Sequence, residues 1–529
     1  MKKLFSIFLM VLSVAIYTSC GEDGVDGLNG QDGADGAPGT DGQDGTDGAQ
    51  GEQGPPGMDA MIAEVDIDTV QFTSITPPLV LAGSGAPAGM EITPLFSSED
   101  VLPVTPDFTF GGSADGAGFL EVDGQFEYFV NNEDNYAVAK VIFNSSMTPV
   151  AGEYVLNSSG AGTRLCSGSL IEPDIHGFGP LFLTAGESGI ESQIHSIDVN
   201  TAEGSSAGIP RPVVALGRWN SENAVALPQD TYNDTNIIIG DDHSGGAYGQ
   251  IVMYRDSGVG DLVGGSVYVL RRTNLDRNEL NMAEGETVDV EFVEIPNART
   301  LSGDQLDQAA EDSSAIGFGR VEDVDFRKGT DLGTSGREIW FAVTGTQNDL
   351  DMYSESGRVY RLNLSEGSAF SGTLTCVIDG DTDGLGFEFH NPDNIMVTTN
   401  FVYIQEDPNG YNRGDGSLIN GSDHPAYIYQ YDIANETLSV VIQTRETEIG
   451  APYDPGTFPN GSPVANGDWE YGAMIDITDK IQSDATSTFL LCIQPHSWLD
   501  DAFAGADGGA IRPNERQGSQ VVMITGLPR

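Results

Sequence analysis

Positive charge is what this chain has least of. Lysine and arginine together number 23 against 80 aspartates and glutamates, a formal net charge of −57 over 529 residues. A phosphate backbone demands Lys and Arg, so the composition argues against a nucleic-acid partner. Most of the acids read as a solvated surface, and such acidity also favours bound cations. Histidine is scarce: six residues, scattered, with no HExxH and no CxxC pair. That leaves no zinc-like cluster. No P-loop occurs, which removes the sequence signature of P-loop NTPases. Cysteine is limited to Cys20, Cys166, Cys376 and Cys492. With Cys20 set aside, the odd remainder leaves at least one thiol unpaired. Cys376 and Cys492 sit in apolar strand patterns as buried residues, whereas Cys166 lies among Gly and Ser beside Arg164 and is the better ligand.

The N-terminus carries the one long apolar run. Lys2 and Lys3 precede LFSIFLMVLSVAIY, too short for a comfortable membrane span and suited to an export signal. Small residues before Cys20 resemble a bacterial lipoprotein signal covering residues 1–19. Cleavage there and acylation of the Cys20 thiol would anchor the chain to a membrane, as an exported lipoprotein at the outer membrane or cell surface. Glycine then recurs at every third position through residues 21–59, the collagen signature. With few prolines and many aspartates, this reads as a stalk that is flexible or weakly trimeric, roughly 120 Å long if fully extended. Residues 60–105, rich in Pro, Ser and Thr, are expected to be a linker or domain edge.

From residue 106 to 529 short β-rich runs alternate with Gly, Asn and Asp turns. They group in fours. RVEDVDF, REIWFAVTG, GRVYRLNL and SGTLTCVID form the clearest quartet; NPDNIMVTT, FVYIQED, AYIYQYDI and TLSVVIQTR form another. Six such units predict an all-β chain folded as a six-bladed β-propeller behind a collagen-like, disordered stalk. A large β-sandwich is the alternative. The last unit stops a strand short, and the N-terminal part of the domain is expected to supply it.

Ligand-type side chains recur in register with these strands. Cys166, Glu222, Glu322, Asp393 and Glu470 open a first strand. Glu133, Glu187, Asp241 with Asp242, Thr344, Glu406 with Asp407, and Gln494 close the next. The start of one antiparallel strand lies beside the end of its neighbour. The set is therefore expected to ring one mouth of the central channel. Several oxygen ligands suit calcium, and a thiolate among them admits a redox metal such as iron. His496 ends a strand near the same mouth.

At these strands the sequence resembles the PhoX-type alkaline phosphatases and their wider propeller family. The residues are Arg164-Leu165-Cys166-Ser167-Gly168, Thr184 to Glu187, Gly217-Arg218-Trp219-Asn220-Ser221-Glu222, Arg320-Val321-Glu322, Asn131-Asn132-Glu133, and Ile493 to His496. The chain departs from the family pattern at Ser221, Val321 and Gly186, where histidine, proline and an acid are usual, and has Lys2-Lys3 instead of twin arginines. The resemblance implies hydrolysis of a small phosphomonoester substrate, with iron held by Glu133, Cys166, Glu222 and Glu322. It implies calcium held by Glu187, Glu222, Asp242, Glu406 and Asp407, and Arg320 on the substrate phosphate. Two other readings share the fold: a non-catalytic calcium-stabilised propeller that binds a ligand or partner, and a phytase- or lactonase-like hydrolase using calcium alone.

Overall fold

A computed structural model describes residues 70–199, 206–329, 331–386, 388–408, 424–461, 463–464, 466–481 and 486–529. The export signal, Cys20 and the Gly-X-Y segment lie outside the described residues. No helix among the described residues is long and apolar enough to cross a membrane.

The described chain is mostly β, in a propeller-like arrangement of four small sheets and one large one. Strand β1 (Val80–Ala82) and strand β2 (Glu91–Ser97) come first but join sheets completed much later. The first full sheet is β3 (Ala114–Val122), β4 (Gln125–Asn132), β5 (Ala137–Phe143) and β6 (Pro149–Leu156). The next has three strands, β7 (Leu165–Ile171), β8 (Leu181–Gly186) and β9 (His195–Asp198).

A nine-stranded sheet follows. It holds β10 (Ser221–Ala226), β11 (Thr235–Asp241), β12 (Gln250–Asp256), β13 (Ser266–Arg272), β14 (Thr287–Ile295), β15 (Val321–Phe326), β16 (Glu338–Val343), β17 (Arg358–Ser365) and β18 (Ser368–Asp379). Strand β14 pairs with β13 on one side and β18 on the other, fusing two quartets that the sequence pattern separates. Its alternating TVDVEFVEI lends itself to the seam: Val290 and Phe292 are buried while Glu294 faces out.

The fifth-quartet sheet is β19 (Pro392–Val397), β20 (Phe401–Glu406), β21 (Tyr427–Asp432) and β22 (Thr437–Thr444), with β1 added at the edge. The last sheet is β23 (Glu470–Asp476), β24 (Thr488–Gln494), β25 (Gln520–Thr525) and β2. Strand β2 supplies the missing fourth position, running antiparallel from Glu91 opposite Thr525 to Ser97 opposite Gln520. The segment expected to be a linker or domain edge thus contributes two strands. The six separate units expected from the sequence appear as five sheets, because of the β14 seam.

The first strands β3, β7, β10, β15, β19 and β23 pack side by side in a closed circuit. Glycines allow the closest approaches: a Cβ at Gly116 would collide with the β7 backbone at Ser167 and Gly168, and one at Gly472 with β3 at Ala114. Apolar clusters fill the space between neighbouring sheets, as where Phe96 of β2 meets Phe110, Tyr128 and Phe143 edge-on at 4.8, 6.4 and 5.8 Å. Phe96 ties the returning N-terminal strand to the first full sheet, so Phe96→Ala should cost about 3–5 kcal/mol in urea unfolding. A loss under about 1 kcal/mol would show that β2 does not hold the circuit closed.

Candidate functional site

The circuit places one end of every first strand at a common mouth, and each first strand has a register break there. The breaks fall between Ala114 and Ala117, Leu165 and Gly168, Ser221 and Asn223, Val321 and Val324, Pro392 and Ile395, and Tyr471 and Met474. A bulge frees a residue from the ladder and re-aims its side chain. In five of the six strands the bulge contains a ligand-type residue: Asp115, Cys166, Glu222, Glu322 and Asp393. In the sixth, Glu470 stands just before it, paired with Gln494.

These groups meet. Ligand atoms of Asp115, Cys166 and Glu222 lie within 4.8 Å of one another, as do those of Glu133, Cys166 and Glu187, of Glu222, Glu322 and Asp393, and of Asp393, Asp407 and Glu470. Cys166, Glu222 and Asp393 each belong to two triads, so the four form one continuous chain of donors. The Cys166 Sγ is 3.1 Å from Glu187 Oε2. Cys166, Cys376 and Cys492 are all free thiols.

Other expected residues sort differently. Asp242 is in the mouth: it accepts from Arg320 Nε at 2.6 Å and Nη2 at 3.1 Å, and Asn220 Nδ2 reaches it at 3.3 Å. Glu322 Oε1 forms an ion pair with Arg320 Nη2 at 2.9 Å. Arg320 is therefore gripped along one edge by two acids, while its Nη1 makes no hydrogen bond to the described residues. Glu406 is not in the mouth. Its two oxygens accept from the backbone N–H groups of His390 and Tyr427, each at 2.8 Å, and it orders the turn below. Adjacent residues on a strand point to opposite sides, so only Asp407 of that pair faces the channel. Asp241 likewise turns away, accepting from the Asn220 N–H at 3.0 Å. His390 and His424 are buried, their rings 4.2 Å apart. His496 Nε2 is 3.5 Å from Glu470.

The sequence reading missed Asp115. It assigns no strand to SADGAGFLEV, where glycines weaken the strand pattern. The signal that would have found it was the rule already in hand, an acid opening each first strand.

Burial and crowding govern the electrostatics. Burial first, then the neighbouring carboxylates, pushes Glu187 up from 4.5 to about 8. Burial pushes Glu133 up to about 7 despite Arg164, whose Nη1 lies 3.3 Å from it. Asp115, Glu222, Glu322, Asp393 and Glu470 are raised well above the usual carboxylate range by burial and then by neighbouring carboxylates, against the opposing charge of Arg320 at Glu322. Burial and the surrounding acids also push the Cys166 thiol up. Such a set can ionise together only if cations enter. The donor chemistry fits: many carboxylate oxygens, one thiol, and a buried Asp393 Oδ1 with no hydrogen-bond partner.

Below the donors a polar layer braces the bulges. The Asn131 amide donates to the Cys166 carbonyl, and Asp323 Oδ2 accepts from the Ile395 N–H at 3.0 Å. The Asn394 amide lies 2.9 Å from Ser167 Oγ and 3.0 Å from the Tyr471 and Gly472 carbonyls. It thereby bridges β19 to β7, three places around the circuit, beneath Cys166 and Asp393. Above the donors a cavity of about 620 Å³ opens, lined in part by Glu187, Asn220, Asp242, Arg320 and Asn391.

No protein-family model and no curated protein sequence matches the chain. Among solved structures, the described propeller-like fold is PhoX-like. PhoX from Pseudomonas fluorescens, in complex with vanadate as a transition-state analogue, aligns at a TM-score of 0.55 and 14% identity. The alignment covers 85% of this chain and 97% of that one. The PQQ-bound aldose sugar dehydrogenase of Streptomyces coelicolor aligns at 0.34 with 10% identity, covering 83% and 99%. The Fusarium graminearum α-L-arabinofuranosidase Arb93A aligns at 0.35 with 9% identity, covering 84% and 98%. At these identities the likeness speaks to fold alone.

Two tests follow from the crowding. A carboxyl raised in the fold favours its protonated form, so the stability it adds is complete below about pH 4.5 and lost as pH rises through 7 to 8. Chelator-treated protein should therefore melt lower by several degrees at about pH 9 than at about pH 5, and saturating calcium should remove most of the difference. A flat or rising melting temperature without metal would contradict the repulsion. Asn394→Leu, close in volume but unable to bridge, should weaken metal binding about 10–100-fold by calorimetry, while an unchanged affinity would make the bridge irrelevant to the donors above it.

Proposed function

We propose that the domain is a six-bladed propeller, with the nine-stranded sheet counted as two blades joined through β14, and that its mouth is a multi-metal centre for hydrolysis of phosphomonoesters. The observation that carries this reading is the chain of four overlapping donor triads beside Arg320, at the floor of an open cavity. The likeness in fold to PhoX, solved with a transition-state analogue, supports the reaction class.

Glu133, Cys166, Glu222 and Glu322 are assigned to iron. Glu187, Glu222, Asp242 and Asp407, joined by Asp115, Asp393 and Glu470, are assigned to calcium and its neighbours. Metal ions there would neutralise the phosphate and activate an oxygen nucleophile. The chain's own residues do the rest. Asp242 and Glu322 fix the Arg320 guanidinium along one edge, leaving Nη1 to hold a phosphate oxygen. The buried walls hold the donors without rearrangement, which is what electrostatic stabilisation of a charged transition state requires. Arg164 restrains Glu133 and Glu187 from the rim, at 3.3 and 3.8 Å. Export as a lipoprotein on a Gly-X-Y stalk would put this mouth outside the cell, facing small extracellular phosphoesters.

The calcium-only reading is favoured by one observation: every donor but Cys166 is a carboxylate. Cys166→Ser separates the two. On the iron reading the variant loses visible absorbance, loses iron by elemental analysis and drops at least about 100-fold in kcat/KM. Full turnover with calcium alone would sink iron ligation. Arg320→Ala should lower kcat/KM by about 10²–10³ with metal content retained, and unchanged turnover would remove Arg320 from the substrate site.

A further inference from the structure

The cavity above Arg320 differs sharply in character from the apolar, aromatic-lined pockets usual for small ligands. Among the described residues its lining has no Phe, Tyr or Trp and no aliphatic residue beyond Pro408; the His243 imidazole is its one ring. One wall is His243 and Ser244, which follow β11; the facing wall is Thr346, Gln347 and Asn348, which follow β16. The side chains of Ser244, Gln347 and Asn348 make no hydrogen bond to the described residues. Their amide and hydroxyl groups are the free donors and acceptors beside the place where a leaving group would project.

Resting on the phosphatase reading, we propose that this cavity selects the phosphomonoesters of small polyhydroxylated alcohols, sugars and polyols, with Ser244, Gln347 and Asn348 as the specificity-determining side chains. The chemistry decides between classes. A nucleobase is held chiefly by stacking on broad aromatic faces, and among the described lining residues there is no Phe, Tyr or Trp, only the small imidazole of His243. An alkyl or aryl group would be set against amides and hydroxyls that it cannot satisfy, whereas each hydroxyl of a polyol can both donate to and accept from them. A second phosphate would find no further Lys or Arg among the lining residues, and would face Glu187, Asp242 and Glu355. The cavity volume of about 620 Å³ leaves room for a monosaccharide with its phosphate on Arg320.

The test compares three esters that share a primary alkyl leaving group, so intrinsic reactivity is matched: glucose 6-phosphate, hexyl phosphate and adenosine 5′-monophosphate. With the full-length, metal-loaded protein, kcat/KM for glucose 6-phosphate should exceed the other two by about 10-fold or more. In the Gln347→Ala/Asn348→Ala variant the ratio should fall to within about 3-fold, chiefly through a higher KM for the sugar ester. Equal rates in the parent protein, a preference for the hexyl or adenosine ester, or a ratio untouched by the double substitution would overturn the assignment. Hydrolysis of none of the three, with inorganic phosphate still binding by calorimetry, would overturn the phosphatase reading and this assignment together.

Discussion

Like-charge repulsion in a buried mouth is the constraint on which the rest of this structure depends. Eight carboxylates and one thiol form a chain of overlapping triads, each triad within 4.8 Å. Two unit charges at 4 Å repel by about 4 kcal/mol at an effective dielectric near 20. No fold holds so many such contacts ionised without countercharge. Arg164 and Arg320 provide two positive groups, which leaves protons or metal ions to supply the remainder. Burial first, and then the neighbouring acids, raise the proton affinities of Glu133 and Glu187, and Asp393 Oδ1 has no hydrogen-bond partner.

The fold concentrates strain-resistant structure around this mouth. Six bulges at equivalent places turn side chains off the ladder and into the channel, which a regular strand would not do. The bulges cost ladder hydrogen bonds, and the polar layer beneath restores them: Asn131 on the Cys166 carbonyl, Asp323 on the Ile395 N–H, Asn394 across the channel. Glycines at 116 and 472 let first strands approach closely, and donors on different sheets lie within 4.8 Å of one another. Packed apolar clusters between the sheets keep the geometry from relaxing away from the repulsion.

Much of this was legible in the sequence because a period-2 strand and an antiparallel turn fix where its first and last residues go. Cys166, Glu222 and Glu322 opening their strands, with Glu187 and Asp242 closing the next ones, sufficed to place them together. The same rule faltered where its inputs were ambiguous. Glu406 and Asp407 are adjacent, and nothing in composition says which one faces the channel; the backbone amides of His390 and Tyr427 settle Glu406 into a structural role. Asp115 hid in a stretch where glycines weaken the strand pattern. The β14 seam was illegible because a ninth strand satisfies the same alternation as any other, and its two partners are chosen by tertiary packing. Arg320 entered only through the resemblance, and its grip by Asp242 and Glu322 depends on side-chain geometry that spacing does not encode.

The central claim is that the mouth is a metal centre rather than a cluster of shared protons. Elemental analysis of the exported, purified protein, never exposed to chelator, tests it most directly. The account predicts more than one tightly held metal ion per chain, with calcium and iron together. Protein that is folded, monodisperse and free of both metals would contradict it, and the acids would then be a protonated cluster without a role in catalysis.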